Sequence, residues 1–291
     1  MCDEPRRTTN DNFQFQKTKV LRNFGFATEM VFMTLRWMGG KEMHSASHFS
    51  EVLFIIKEET NMLKLKMFYR CLFLSFSLAL FSLAQTATAQ TLGDAESFAV
   101  LGGSTVTFGG TMSTVTGDVG VSPGTVITGH PVNVTIVPPY TLHVNDGAAV
   151  AAQTAVTALY IELDTTGGAT VIGPQLSGET VGPGIYAFSA EADLAANGLF
   201  TLDGAGIYIF QVGSALTANV GSDVSLINDA SACDVFWQVT SDATLNGDTF
   251  VGTVVAKDSV TVGVGAVLDG RALTTSLGAV TMAGNNTINI L

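Results

Sequence analysis

The chain has 291 residues, 31 of them Gly, with 13 Lys and Arg against 25 Asp and Glu, a formal net charge of −12. From Gln90 onward the imbalance sharpens, because only Lys257 and Arg271 are basic there. Binding to a phosphate backbone or an anionic membrane surface needs several Lys or Arg in one place, so neither nucleic acid nor a membrane is an expected partner.

Residues 1–61 mix both charge signs without a clear period or caps, and read as a leader that is non-native or disordered, with translation starting at Met62 or Met67. Over 62–89, Lys64, Lys66 and Arg70 precede an apolar stretch from Cys71 to Ala84, followed by Ala87-Thr-Ala89. A basic start, a short apolar core and a small-x-small site make a secretory signal peptide, too short to span a membrane. Cleavage is expected after Ala89, releasing residues 90–291 as an extracellular domain. Cys233 is the single cysteine of that part, so no disulfide can close within it and burial must hold it together. Cys233 itself is expected as a small buried residue beside Val235 and Trp237.

The folded part opens with short strand-like pieces, Phe98-Ala-Val-Leu101, Ser104-Thr-Val-Thr-Phe108 and Thr114-Val-Thr116, separated by Gly pairs that act as corners. They read as one coil of a stack. Residues 122–143, with Pro123, Pro131, Pro138 and Pro139, offer little regular structure and are expected to form a cap. From 145 to 164 the period becomes helical. Asn145 or Asp146 can cap the start, and Val150, Ala151, Thr154, Val156, Ala158, Leu159, Ile161 and Leu163 give a broad apolar side.

Beyond Gly168 the chain returns to strands and Gly corners. One set, Ile185-Tyr-Ala-Phe188, Ile207-Tyr-Ile-Phe-Gln211, Val235-Phe-Trp-Gln-Val239 and Thr253-Val-Val-Ala256, is apolar on both alternating sides. A sheet buried on both faces needs a cover, and the helix is the long element available to supply it. Gly252 and Gly270 bracket an interval holding three strands, which fits one turn of a triangular β-solenoid.

A second set, Asp193-Leu-Ala-Ala-Asn197, Ala215-Leu-Thr-Ala-Asn219, Ala243-Thr-Leu-Asn246, Ser259-Val-Thr-Val-Gly263 and Ala279-Val-Thr-Met-Ala283, alternates apolar with small polar residues. With Leu194, Leu216, Leu245, Val260 and Val280 inward, period two puts Ala195, Asn197, Thr217, Asn219, Thr244, Asn246, Thr261 and Thr281 outside. The result is a flat, uncharged, hydroxyl-bearing side. Coils about 4.7 Å apart and alternate residues about 6.6 Å apart make a grid near repeat distances on planes of hexagonal ice.

Catalytic chemistry finds little support. Most Asp residues sit at Asp-Gly corners or strand ends, where turns favour them, and His130 and His143 both lie in or beside the cap. No EF-hand spacing or calcium nonapeptide repeat occurs, and the two histidines and one cysteine of residues 90–291 make a poor transition-metal set. The chain is expected to be neither an enzyme nor dependent on a metal or cofactor. A carbohydrate-binding or carbohydrate-active solenoid, or an adhesin, remains the alternative.

Several motifs in one order resemble a known family: Phe98-Ala-Val-Leu-Gly-Gly-Ser-Thr-Val-Thr107, Thr114-Val-Thr-Gly-Asp-Val-Gly-Val-Ser-Pro-Gly124, Pro183-Gly-Ile-Tyr186, Cys233-Asp-Val-Phe-Trp-Gln-Val239 and Gly270-Arg-Ala-Leu273. They are similar to the ice-binding proteins of discontinuous β-solenoid type from cold-living microbes and snow moulds, over about 91–291. The resemblance implies a mainly β, right-handed triangular solenoid with one long α-helix alongside and a cap insertion. It implies that the N-terminal strands stack next to the C-terminal coil, which adds Thr105 and Thr107 to the outward set. It also implies adsorption to an ice crystal surface, lowering the freezing point and blocking recrystallisation; the protein is expected to be a monomer.

Overall fold

The computed structural model describes residues 90–290; the expected leader and signal peptide lie outside the described residues. Three strands make each coil. The N-terminal coil is β1 (Phe98–Gly102), β2 (Thr105–Phe108) and β3 (Ser113–Thr116), followed by β4 (Asp118–Val121), β5 (Val126–Thr128), β6 (Val134–Ile136) and β7 (Leu142–Val144). After the helix α1 (Gly147–Thr165) come β8 (Thr170–Val171), β9 (Thr180–Val181), β10 (Gly184–Phe188), β11 (Ala192–Leu194) and β12 (Leu199–Asp203). The stack continues with β13 (Tyr208–Val212), β14 (Leu216–Ala218), β15 (Asp223–Ile227), β16 (Val235–Val239), β17 (Asp242–Leu245) and β18 (Thr249–Ala256). It ends in sequence with β19 (Ser259–Val262), β20 (Val267–Thr274), β21 (Ala279–Met282) and β22 (Thr287–Asn289).

Every pairing of these strands is parallel, and the sides of the triangle follow from it. One side runs β10-β13-β16-β18-β20-β1-β4, a second β11-β14-β17-β19-β21-β2-β5, and the third β12-β15-β18-β20-β22-β3-β6. The N-terminal coil thus lies directly against the C-terminal one, through β1 on β20, β2 on β21 and β3 on β22. Strands β18 and β20 each pass round a corner at Gly252 and Gly270, which are partners in register. Only glycine fits there: φ is +155° at Gly270, and a Cβ on it would stand 1.9 Å from the Gly252 carbonyl oxygen. The eighteen-residue turn read from these two glycines is therefore a real coil.

Residues 122–143 are more regular than expected. β4, β5 and β6 complete a further coil on β1, β2 and β3, with β7 beyond β4, so the cap continues the solenoid instead of interrupting it. Its strands are only three or four residues long and separated by prolines, which hid their alternation. Those prolines have a use at an end of the stack. From residue 90 onward Pro occurs only at 123, 131, 138, 139, 174 and 183, beside the terminal strands, where it withholds the N–H groups that another chain's edge would pair with.

The helix returns the chain along the stack. Its 19 residues at about 1.5 Å each make ~28 Å, matching the six steps of about 4.8 Å from β4 to β10. The face it buries is the stripe Ala149, Ala152, Val156, Leu159 and Leu163, spaced three and four apart, against Ile185, Ile209, Phe236, Val255 and Leu273 of the first side. That is narrower than the broad apolar side expected: Val150 and Ile161, 48% and 57% exposed, point away. Gln153 donates to the Thr274 carbonyl at 2.8 Å, and Gln211 donates to the Leu163 and Thr166 carbonyls at 2.7 and 2.8 Å, closing the helix C-terminus.

The N-terminus is capped by Asp146, which accepts from the Ala149 backbone N–H at 2.9 Å and sits 2.8 Å from His143 Nδ1. The amide bond first, and His143 second, hold its carboxyl below the ordinary aspartate value. A depressed folded value means that the cap contributes fully above the unfolded range, about 3.9, and is lost as pH falls through the folded value. Helix unfolding followed by hydrogen exchange should therefore accelerate in acid for the wild type and lose that added acid sensitivity in Asp146→Asn. Cys233 differs from its expectation: it is half-buried, in a short turn at Ala232–Asp234.

Candidate functional site

The first side is closed by the helix, which leaves two sides to compare. On the second, the registers Thr217↔Thr244, Thr244↔Thr261, Thr261↔Thr281, Thr281↔Thr107 and Thr107↔Thr128 align one unbroken column of threonines. Asp193 continues it beyond Thr217. Inward neighbours are apolar throughout: Leu216, Ala243, Val260, Val280 and Val106 on one flank, and Ala218, Leu245, Val262, Met282 and Phe108 on the other, all buried. Burial of those flanks fixes the register, since a slip of one residue would turn every Thr inward.

A parallel column holds Asp242, Ser259, Ala279, Thr105 and Val126. Period two places a third column just past the strand ends, at Ala195, Asn219, Asn246, Gly263, Ala283 and Gly109. Of the residues expected on this face, Thr105, Thr107, Thr217, Thr244, Thr261 and Thr281 come together on strands, while Ala195, Asn219 and Asn246 lie at strand ends. Asn197 does not join them. It sits in a corner with φ +57°, a left-handed turn that Asn tolerates, and leaves the sheet there.

Thr128 was missed by sequence reasoning because it lies among the cap prolines. Its hydroxyl donates to Thr107 Oγ1 at 3.2 Å. Asp193 and Asp242 were legible from period two alone. Each carboxylate is held in place: Asp193 accepts from Gln175 Nε2 at 3.0 Å and Asn219 Nδ2 at 2.9 Å, and Asp242 accepts from Ser241 at 3.2 Å and from Ser259. Asn219 also donates to the Leu194 carbonyl at 3.0 Å, so its amide serves the coil stack before any ligand.

The third side is less uniform. Its outward columns run Leu199, Asp223, Thr249, Val267, Thr287, Thr114 and Thr135, and Thr201, Ser225, Val251, Asp269, Asn289 and Thr116. Between β15 and β18 pairing falls to Asp223↔Thr249 alone, and Val251 there is buried at 3% exposure. Acidic residues, exposed Leu199 and this break limit the side's repeated outward residue to the short run of Thr287, Thr114 and Thr135.

Elsewhere Arg271 is 5% exposed and donates through Nε and Nη2 to the Glu96 carbonyl at 3.3 and 2.9 Å, pinning the N-terminal segment to the stack. Burial lowers its pKa, against the opposing pull of Glu96. The adjoining cleft of about 330 Å³ is lined by Asp94, Glu96, Ser97 and Tyr140. No cluster of three metal-ligating side chains occurs among the described residues, and none of their helices is long and apolar enough to cross a membrane.

Known proteins share this architecture. An ice-binding protein of Nostoc sp. (strain HG1) is 39% identical over 216 residues, 71% of this chain and 76% of its own length. One from Colwellia sp. is 30% identical over 225 residues, 68% of this chain and 82% of its own. The crystal structure of an ice-binding protein from an Antarctic biological consortium superposes with a TM-score of 0.66 at 36% identity, covering 70% of this chain and 92% of that one. Another, from the Antarctic ascomycete Antarctomyces psychrotrophicus, gives 0.64 at 29% identity, covering 70% and 98%. Residues 100–289 match the Ice-binding-like family, and the chain belongs to it.

Proposed function

We propose that the chain is secreted and adsorbs as a monomer to ice through the β11-β14-β17-β19-β21-β2-β5 side, lowering the freezing point and inhibiting recrystallisation without catalysis. The observation that carries this reading is the unbroken column of Thr217, Thr244, Thr261, Thr281, Thr107 and Thr128. Each Thr presents a methyl and a hydroxyl without net charge, so the face can hold water in place without the strong local orientation an ion imposes. Threonine is stiff at χ1, and a parallel stack with an apolar core fixes its backbone. Little ordering cost remains when the array meets a lattice. Contacts that are weak singly act together because they recur in register, and simultaneous release becomes rare.

Sugar binding is less well supported. Stacking sites need exposed aromatic rings, whereas the columns of this side contain none and Trp237 is fully buried. Thermal hysteresis and recrystallisation assays on the purified protein test the reading. A hysteresis gap and frozen samples that keep their small grains are the expected results. Ice that coarsens as in buffer, together with pull-down on an insoluble glycan, would favour the alternative. N-terminal sequencing of protein recovered from the growth medium should begin at Gln90.

A further inference from the structure

Charge divides the proposed face in two. Residues 275–285 around β21, 103–112 around β2 and 122–132 around β5 contain no Asp, Glu, Lys or Arg. The opposite half and its corners carry Glu191, Asp193, Asp242, Asp248, Lys257 and Asp258. Exposed apolar side chains lean the same way: Met112, Val126, Val132 and Leu277, at 55, 48, 74 and 85% exposure, rim the uncharged half, Val264 stands at the border, and Leu199 and Val220 stand on the other.

Carboxylates on the charged half do more than add charge. Asp193 engages Gln175 and Asn219, and Asp242 engages Ser241 and Ser259, so four polar side chains of that half turn toward a carboxylate. An ionised oxygen holds its own hydration shell, and removing it from water is costly unless fully compensated. An uncharged lattice of water molecules offers no such compensation. The uncharged half has only the Thr128–Thr107 bond among hydroxyls, which preserves a neutral surface.

Resting on the ice-binding reading, we infer that the ice-contacting area is the uncharged half alone, centred on Thr281, Thr107 and Thr128 with Thr105 beside them and Thr261 at its border. Asp242 and Asp193 terminate it. Strands from both ends of the described chain therefore assemble the contact, and the cap coil supplies a contact residue through Thr128. Thr217 and Thr244 extend the column without carrying most of the binding.

The test compares thermal hysteresis at equal concentration for the full chain and its Thr107→Tyr, Thr128→Tyr, Thr217→Tyr and Asp242→Thr variants, with thermal unfolding of each as the check on folding. Central contacts dominate an interface and peripheral ones contribute little, so Thr107→Tyr and Thr128→Tyr should fall below about a tenth of wild type and Thr217→Tyr should keep more than about half. Asp242→Thr should match or exceed wild type, because it releases Ser259 and removes a charge. Equal losses from Thr217→Tyr and Thr107→Tyr, or a loss from Asp242→Thr, would overturn the division while leaving the face in place. Full activity in every Tyr variant would remove both the division and the face. A wild type without hysteresis would instead overturn the ice-binding reading on which the division rests.

Discussion

Thr281→Tyr should abolish the shaping of ice crystals while leaving the unfolding temperature where it is. Thr281 lies between Thr261 and Thr107 in the column, with Val280 and Met282 buried on either side of it. A Tyr ring there stands above its neighbours, and a crystal plane cannot yield to it as a protein partner could. Lifting the face by one ring separates adjacent threonines from the lattice as well, so activity should drop below about a tenth of wild type, as for a residue at the centre of a well-matched interface. Outward substitutions away from caps and cores cost within about 0.5 kcal/mol, so the melting curve should hold. Thr281→Val and Thr281→Ser then separate the two halves of the side chain. A greater loss for Ser than for Val would show that the methyl, filling the spaces between ordered waters, matters more than the hydroxyl. Full activity in Thr281→Tyr would move the site to the side of Thr201, Ser225 and Thr287.

The largest stability effect is expected at Trp237. The indole is fully buried inside the triangle, stacked on Phe210 with centroids 4.1 Å apart and packed near Phe250 at 5.1 Å and Phe200 at 6.2 Å. Its Nε1–H donates to the Val251 carbonyl at 3.0 Å. Trp237→Ala should cost about 3–5 kcal/mol through lost burial and the cavity left in a stack that cannot collapse. Trp237→Phe should cost less, with about 1–3 kcal/mol from leaving a buried carbonyl without its donor. Urea midpoints at unchanged slope provide the measurement. A midpoint for Trp237→Ala close to that of wild type would contradict this account of the core. The protein that remains folded should still shape ice, because Trp237 faces the interior.

These two positions also show how much of the molecule could be read from its residues. Strands with apolar residues on both alternating sides, such as Ile207-Tyr-Ile-Phe-Gln211 and Val235-Phe-Trp-Gln-Val239, required a cover, and the helix stripe from Ala149 to Leu163 provides it. The Gly252 and Gly270 spacing reported one coil because both corners need a glycine. What period two could not show was the order of the coils. Thr105 and Thr107 reach the face only because the return helix lets the N-terminal coil stack on the C-terminal one, a long-range pairing without a local signature. The cap strands were hidden for a related reason: three residues between prolines are too few to reveal a period, and Thr128 went with them. Asn197 failed for a different cause, since a strand that ends at Leu194 cannot carry its alternation through a left-handed turn.

If the proposed face binds ice, its regularity on a rigid scaffold explains why so few functional groups suffice. The second side repeats one Thr on each of six neighbouring strands, held at a spacing set by backbone hydrogen bonds. On the proposed reading, nothing in the column needs a perturbed pKa or a metal to work, and the acidic residues matter by where they stop the pattern. The central claim is tested most directly by watching a single ice crystal grow, under the microscope, in the presence of the purified protein. Growth that halts below the melting point on a faceted crystal is the predicted result, and a crystal that expands as a smooth disc, as in buffer, would contradict it.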